Sequence, residues 1–198
     1  MEVAHISVFQ SDPERFWRFY AERFATLGDK QPNGAHRALV ELEQRGLLRA
    51  VITQNIDRLH ATAGTEDLVE VHGSIATCSC QITGRSYSLE AVTELLVTEI
   101  PPLSEAGAPL KPDVVLFGEM LPEAAMSRAT ALAQSADLMI AIGSSLEVYP
   151  VAGLPELTLR SGGKLALITA GDTSYDCEAE LKLKGDVEQE LAAVIAAL

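Results

Sequence analysis

The chain has 198 residues, 15 Lys+Arg against 28 Asp+Glu for a formal net charge of −13, 47% hydrophobic residues and 3 cysteines. A chain of this length suits one domain with a small insertion and buries about 70% of its unfolded surface, so it owns a core without disulfides or a metal, and its scattered cysteines make no disulfide framework. No apolar run approaches the roughly 20 residues of a membrane span, the N-terminus lacks a signal pattern, and the negative charge opposes a phosphate backbone while favouring lysine-rich partners. The expectation is a soluble, reduced, cytoplasmic protein that binds neither nucleic acid nor membrane.

In chain order, Ser11 or Asp12 stands before Pro13 as an N-cap, and Phe16, Trp17, Phe19, Tyr20 and Phe24 recur at helical spacing. That predicts an amphipathic helix over 11–24 whose aromatic stripe is largely core. A second helix over 34–45 follows the Gln-Pro-Asn-Gly turn and stops at Gly46. Short β-rich runs come next at 48–53, 68–71, 113–117, 138–142 and 164–169, with helices at 123–133 and 187–198. Near-continuous apolar strands alternating with helices predict an α/β fold, a doubly wound, Rossmann-like parallel sheet covered on both faces. The stretch 77–112 differs, being richer in Ser, Thr, Pro and Gly and holding two of the three cysteines. It is predicted to be a small inserted module, leaving 1–76 and 113–198 as the main domain.

In such a sheet, ligands bind beyond the carboxyl ends of the strands. The first run leads into TQNIDRLH, where Gln54, Asn55 and Asp57 crowd after a buried strand. Polar side chains there need partners or a ligand, and an Asn-Asp pair also suits a helix cap. The second run ends in Glu70-Val71-His72-Gly73-Ser74, where His72 suits a general base and the glycine lets a substrate come close. A lone histidine is more often a structural residue than a base. The third run ends in Phe117-Gly118-Glu119 and the fourth in Gly143-Ser144-Ser145, whose backbone donors and hydroxyls suit ribose or phosphate.

Taken together, TQNIDRLH, EVHGS, KPDVVLFGEMLP and AIGSSLEVYP, in this order, resemble the sirtuins, NAD-dependent protein lysine deacylases. The resemblance runs from about residue 12 to the C-terminus. It implies that Gln54, Asn55 and Asp57 line the nicotinamide-ribose pocket of NAD, that Gly143, Ser144 and Ser145 contact its phosphates and ribose, and that Val187 lies on the adenosine side with Thr169, which stands where the family commonly has an asparagine. His72 matches the family's general base. Val115, Phe117, Gly118 and Glu119 match the strip where an acyl-lysine peptide adds as a strand through main-chain hydrogen bonds. The implied reaction moves the acyl group from lysine to ADP-ribose and releases nicotinamide, and the implied partners are acylated, lysine-containing proteins.

Tyr20 and Arg23 are three apart and project from one helix face. With PNGAHRAL at 32–39, this Y-x-x-R pattern resembles the sirtuin branch that removes succinyl or malonyl groups. A phenol and a guanidinium together grip a terminal carboxylate. A packed tyrosine beside a solvated arginine is the plainer alternative.

Departures from the family pattern are equally specific. Sirtuins usually hold a structural zinc with two C-x2-C pairs, and a closed tetrahedral site needs four ligands. Aligned on GAPLKPDVVLFGE, this chain offers Cys80, Thr83, Leu103 and Ala106 there, with Cys78 as a spare thiol. Zinc is therefore expected to be absent, the module a degenerate zinc ribbon, and Leu103, Ala106 and Ile82 to fill part of the space. Nothing like the family's GAGxS strand and loop precedes Ser11, and no G-x-G occurs in the chain. A truncated start and a chain that has given up its cofactor are both open, with the intact TQNID and EVHGS favouring truncation. Loss of that central strand is expected to expose sheet edges. The alternative functions are an acyl-lysine-binding module without catalysis and a mono-ADP-ribosyltransferase.

Overall fold

A single aspartate, Asp12, closes one helix and opens the next. Its N–H donates to the Val8 carbonyl at the end of α1 (Ile6–Ser11), and its carboxylate accepts the Arg15 N–H at the start of α2 (Pro13–Gly28). This is a computed structural model, and it describes residues 2–28 and 30–198. The six-residue α1 is too short to show a helical period in the sequence. Helix α3 (Gly34–Gln44) opens on a capping box in which the Asn33 side chain accepts the His36 N–H and the His36 ring accepts the Asn33 N–H. Gly46, at φ +71°, ends it, and the Leu47 and Leu48 N–H groups fold back onto the Leu42 carbonyl. That wrap shortens the next strand, so β1 is Val51–Thr53 rather than 48–53. There follow α4 (Leu59–Ala63), β2 (Leu68–Glu70), β3 (Gly73–Cys80), β4 (Ser86–Ser88), α5 (Leu89–Thr98), β5 (Leu110–Val114), α6 (Glu123–Ser135), β6 (Leu138–Ile142), α7 (Leu154–Arg160), β7 (Lys164–Ile168), β8 (Leu181–Leu183) and α8 (Val187–Ala197).

The chain divides into two units, Met1–Gln31 with Gln54–Leu59 and His72–Pro122, and Pro32–Thr53 with His60–Val71 and Glu123–Leu198. This division groups the module expected at 77–112 with the N-terminal helices and with the QNID and HGS segments. In the first unit, β4, β3 and β5 form an antiparallel sheet. The stripe of α2 is core as predicted: Phe16 and Trp17 are fully buried and Phe24 nearly so. Phe16 stacks on Tyr20 with centroids 4.5 Å apart and meets Phe9 edge-on at 5.2 Å. Burying each such ring contributes about 1.5–3 kcal/mol.

Two expectations for this unit change. The strand predicted at 113–117 is Leu110–Val114, because Pro112 does not interrupt it. β5 is an edge strand beside the register shift between Gly73 and Cys78, where a residue without an N–H is tolerated. Ile82 and Ala106 also fail to fill the space at the cysteines. Ile82 is 73% exposed at the tip of the turn in which Cys80 and Arg85 pair, Ala106 is exposed, and Leu103 is half-buried opposite Pro109. The thiols of Cys78 and Cys80 close the core themselves with Ala108 and Leu110. Cys80 Sγ lies 3.2 Å from Ser104 Oγ.

The second unit holds the parallel strands, β1 with β2 and β6-β7-β8. Helices α3 and α8 pack one side of them, where Leu39, Leu42, Val51, Ile168 and Leu191 share a cluster. A further cluster gathers Leu146, Ala152, Leu165, Leu167 and Tyr175, with the Tyr175 hydroxyl donating to the Ala152 carbonyl at 2.8 Å. Parallel strands with covering helices are the Rossmann-like α/β arrangement expected. Among the described residues, β1 and β6 each pair on one side only.

Candidate active site

His72 stands at a corner between β2 and β3, and the residue after it makes that corner feasible. Gly73 has φ +67°, and a Cβ there would lie 2.1 Å from the Asp113 carbonyl oxygen. Only glycine allows β5 so close. His72 Nδ1 is 3.1 Å from the Gln54 carbonyl oxygen. A carbonyl only accepts, so Nδ1 carries a proton, and in the neutral imidazole that leaves the lone pair on Nε2, the arrangement a general base requires.

Gln54 thus contributes its backbone to the orientation of His72, and its side chain is half-buried. Asn55 is exposed. Asp57 is half-buried, and its Oδ1 accepts the Leu59 N–H at 2.9 Å, the capping role weighed for it in the sequence. The Ile56 carbonyl accepts the Ile75 N–H at 3.0 Å and fastens the loop to β3. Arg58 lies at φ +66°, a left-handed conformation that an arginine adopts only under constraint from its surroundings.

Residues 115–119 are bonded on several sides within the same unit. The Val115 N–H donates to the His72 carbonyl at 2.9 Å. The Phe117 N–H donates to the Ala4 carbonyl at 2.9 Å, and the Phe117 carbonyl accepts the Ile6 N–H at 3.0 Å, giving a parallel bridge between His5 and Phe117. The Glu119 N–H donates to the Leu116 carbonyl at 3.0 Å. Of the four residues expected to meet a peptide, Gly118 is the one whose backbone takes part in none of these bonds. It is exposed, at φ +87°, with the His5 ring 2.8 Å from where a Cβ would stand. Sequence reasoning missed residues 4–6 here, since nothing local marks a segment that pairs more than a hundred positions away.

On α2, Tyr20 is half-buried; burial pushes its phenol above the ordinary range and the Arg23 charge pulls it back. Arg23 is exposed, with its guanidinium carbon 3.6 Å from the centre of the Phe19 ring and Nη1 donating to the Phe19 carbonyl at 3.2 Å.

The second unit carries the remaining candidates. Gly143 has φ +63°, its N–H donates to the Ile168 carbonyl at 2.9 Å, and no atom lies within 4 Å of where a Cβ would be. Ser144 Oγ accepts the Leu146 N–H at 3.1 Å, and Ser145 is exposed. Leu146, which the sequence did not single out, holds this loop: it lies at φ +54° with its side chain in the core. Thr169 is buried just after β7 and donates its N–H to the Leu183 carbonyl at 3.0 Å, and Val187 is the half-buried first residue of α8. Open space at Gly143, an exposed hydroxyl beside it and a strand end at Thr169 fit the neutral donors that phosphate and ribose groups take. Among the described residues, no group of three or more His, Cys, Asp or Glu is placed to hold a metal ion.

Residues 1–150 match the family described as the Sir2 family. An NAD-dependent protein deacetylase of Sulfolobus acidocaldarius is 44% identical over 195 residues, covering 98% of this chain and 77% of the relative. An NAD-dependent protein deacylase of Pyrococcus abyssi is 39% identical over 197 residues, 98% of this chain and 79% of the relative. Among solved structures, one described as Sir2-p53 peptide-NAD+ superposes with a TM-score of 0.96 at 41% identity, covering all of this chain and 82% of the other. Another, Sir2 bound to acetylated peptide, gives 0.95 at 41% identity over 98% of this chain and 82% of the other.

Proposed function

The chain belongs to the Sir2 family, an enzyme family of NAD-dependent protein deacylases, and from that premise we propose that it removes acyl groups from protein lysines and accepts acidic groups, succinyl or malonyl, among them. The orientation of His72 supports the deacylase chemistry. With Nδ1–H held by the Gln54 carbonyl, Nε2 is the atom that takes a proton from a ribose hydroxyl as the acyl group moves. Bound NAD supplies the carbon that receives the acyl oxygen and nicotinamide as the leaving group. Within the second unit, Gly143, Ser144 and Ser145 would take its phosphate and ribose groups and Thr169 and Val187 its adenosine side; within the first, Gln54, Asn55 and Asp57 would take its nicotinamide end. Gly118 offers its main chain to the acyl-lysine segment.

The acidic-acyl preference rests on Tyr20 and Arg23. They stand three residues apart on α2, Tyr20 half-buried and Arg23 exposed with its guanidinium over the Phe19 ring, from where it is free to turn to a ligand. That pair matches a carboxylate at the end of an acyl chain. Incubation of the protein with NAD and a succinyl-lysine peptide is expected to release nicotinamide and unmodified lysine peptide together. Peptide binding with no nicotinamide release would instead mark an acyl-lysine-binding module, and failure of both would end the proposal.

A further inference from the structure

Lys111 is a buried charge with no part in the chemistry described so far. It lies in β5 at 7% exposure, and its ammonium meets three acceptors: the Val114 carbonyl at 2.9 Å, the Pro112 carbonyl at 3.1 Å and Glu119 Oε2 at 2.9 Å. A lysine has three N–H donors, so each has a partner. The same Glu119 Oε2 accepts the Leu116 N–H at 2.8 Å, while the Glu119 N–H returns to the Leu116 carbonyl. The pair therefore ties the middle of β5 to the far end of the 115–119 segment. Midway along that tie, the Val115 N–H holds the His72 carbonyl.

We propose that Lys111 and Glu119 are positioning residues for the reaction: their ion pair fixes the Val115–Gly118 strip in the form an acyl-lysine peptide pairs with and, through Val115, steadies the backbone of His72. The proposal rests on the deacylase function proposed above. It gives Glu119 a role within the protein, since its Oε2 receives both Lys111 and the Leu116 N–H. Stability alone does not call for such a pair, because well-packed apolar side chains serve as well or better at buried positions. What the pair adds is direction: one carboxylate oxygen receives Nζ and the Leu116 N–H together, which fixes where residues 116–119 turn relative to β5. Neither Lys111 Nζ nor the Glu119 side chain belongs to a strand ladder, so removing them frees the strip without unpairing β3 and β5.

Two variants of the full chain test this. Glu119→Gln keeps an acceptor for the Leu116 N–H and removes the charge facing Lys111. Lys111→Met combined with Glu119→Gln removes both charges and leaves apolar volume in the lysine's place; the Pro112 and Val114 carbonyls lose the lysine donor, so its melting temperature is expected to fall and it is compared with the parent at a temperature where both are folded. Amide hydrogen exchange at residues 72 and 115–119 of the free protein is expected to quicken about tenfold in the double variant, against unchanged exchange in the α3–α8 cluster. Acetyl-lysine peptide affinity by calorimetry is expected to fall about tenfold, more than NAD affinity does, because the strip that pairs with the peptide is the part the ion pair holds directly. Parent-like exchange at 115–119 together with parent-like peptide affinity overturns the proposal, and should the double variant fail to fold, the Glu119→Gln protein decides by the same two measurements. A parent protein that binds no acyl-lysine peptide counts against the deacylase function instead, and the exchange experiment then decides the positioning role alone.

Discussion

The indole N–H of Trp17 donates to the Leu110 carbonyl at 2.8 Å, a bond between buried groups separated by 93 positions in sequence. It ties the helix carrying Tyr20 and Arg23 to the strand that leads into residues 115–119. A buried carbonyl deprived of its donor costs about 1–3 kcal/mol. Trp17→Phe keeps most of the apolar area and is expected to lower the unfolding free energy by about that amount, read as a lower urea midpoint at unchanged slope.

Arg23→Met is expected to reduce turnover of a succinyl-lysine peptide at least about tenfold more than turnover of an acetyl-lysine peptide, because a charged, two-pronged partner for the terminal carboxylate disappears. Tyr20→Phe keeps the stack on Phe16 and loses only the hydroxyl, so its effect is expected in the same direction and smaller. Comparing kcat/KM on the two peptides settles the point, and equal losses on both would refute acyl recognition by this pair.

Gly73→Ala places a methyl group 2.1 Å from the Asp113 carbonyl oxygen at a positive φ. The backbone must shift where β3 leaves His72. The expected cost is about 2 kcal/mol or more, by the usual scale for strain at a special backbone position. Deacylation is expected to fall further than thermal stability does, since the shift falls on the residue next to the base.

The cysteines give a pH signature. Burial, with the Asp113 charge added, pushes the Cys78 thiol up to about 12, so it stays neutral in the fold. Its folded value lies above its unfolded one, so the stability it contributes is present below about pH 9 and is lost as pH rises from there towards 12. The melting-temperature gap between the parent and Cys78→Ala is therefore expected to narrow above pH 9. At pH 8, a thiol reagent is expected to modify the exposed Cys177 first, with Cys78 slowest.

Metal analysis of the purified protein checks the expectation of a zinc-free module. Cys78 and Cys80 sit in an apolar cluster with Ala108 and Leu110, and no stoichiometric zinc is expected. Near one zinc per chain would overturn that expectation.

Much of the architecture is local enough to read from the chain itself. Asp12 before Pro13, the Asn33-to-His36 box and Gly46 act within one or two helical turns, so the starts and stops of α2 and α3 follow from neighbouring residues. The motifs TQNIDRLH, EVHGS and AIGSSLEVYP likewise carry the resemblance to the family that residues 1–150 match. Length and charge bounded the class of protein in the same way, because they depend on no partner in space. Contacts between distant segments could not be read so. That Phe117 spends its backbone on Ala4 and Ile6, that the Gln54 carbonyl meets His72 Nδ1, that β5 runs through Pro112, and that Lys111 meets Glu119 all depend on where the folded chain brings separated groups together. A hydrogen bond has no memory of sequence separation: side-chain type determined which groups needed partners, and tertiary structure alone decided which partners they found.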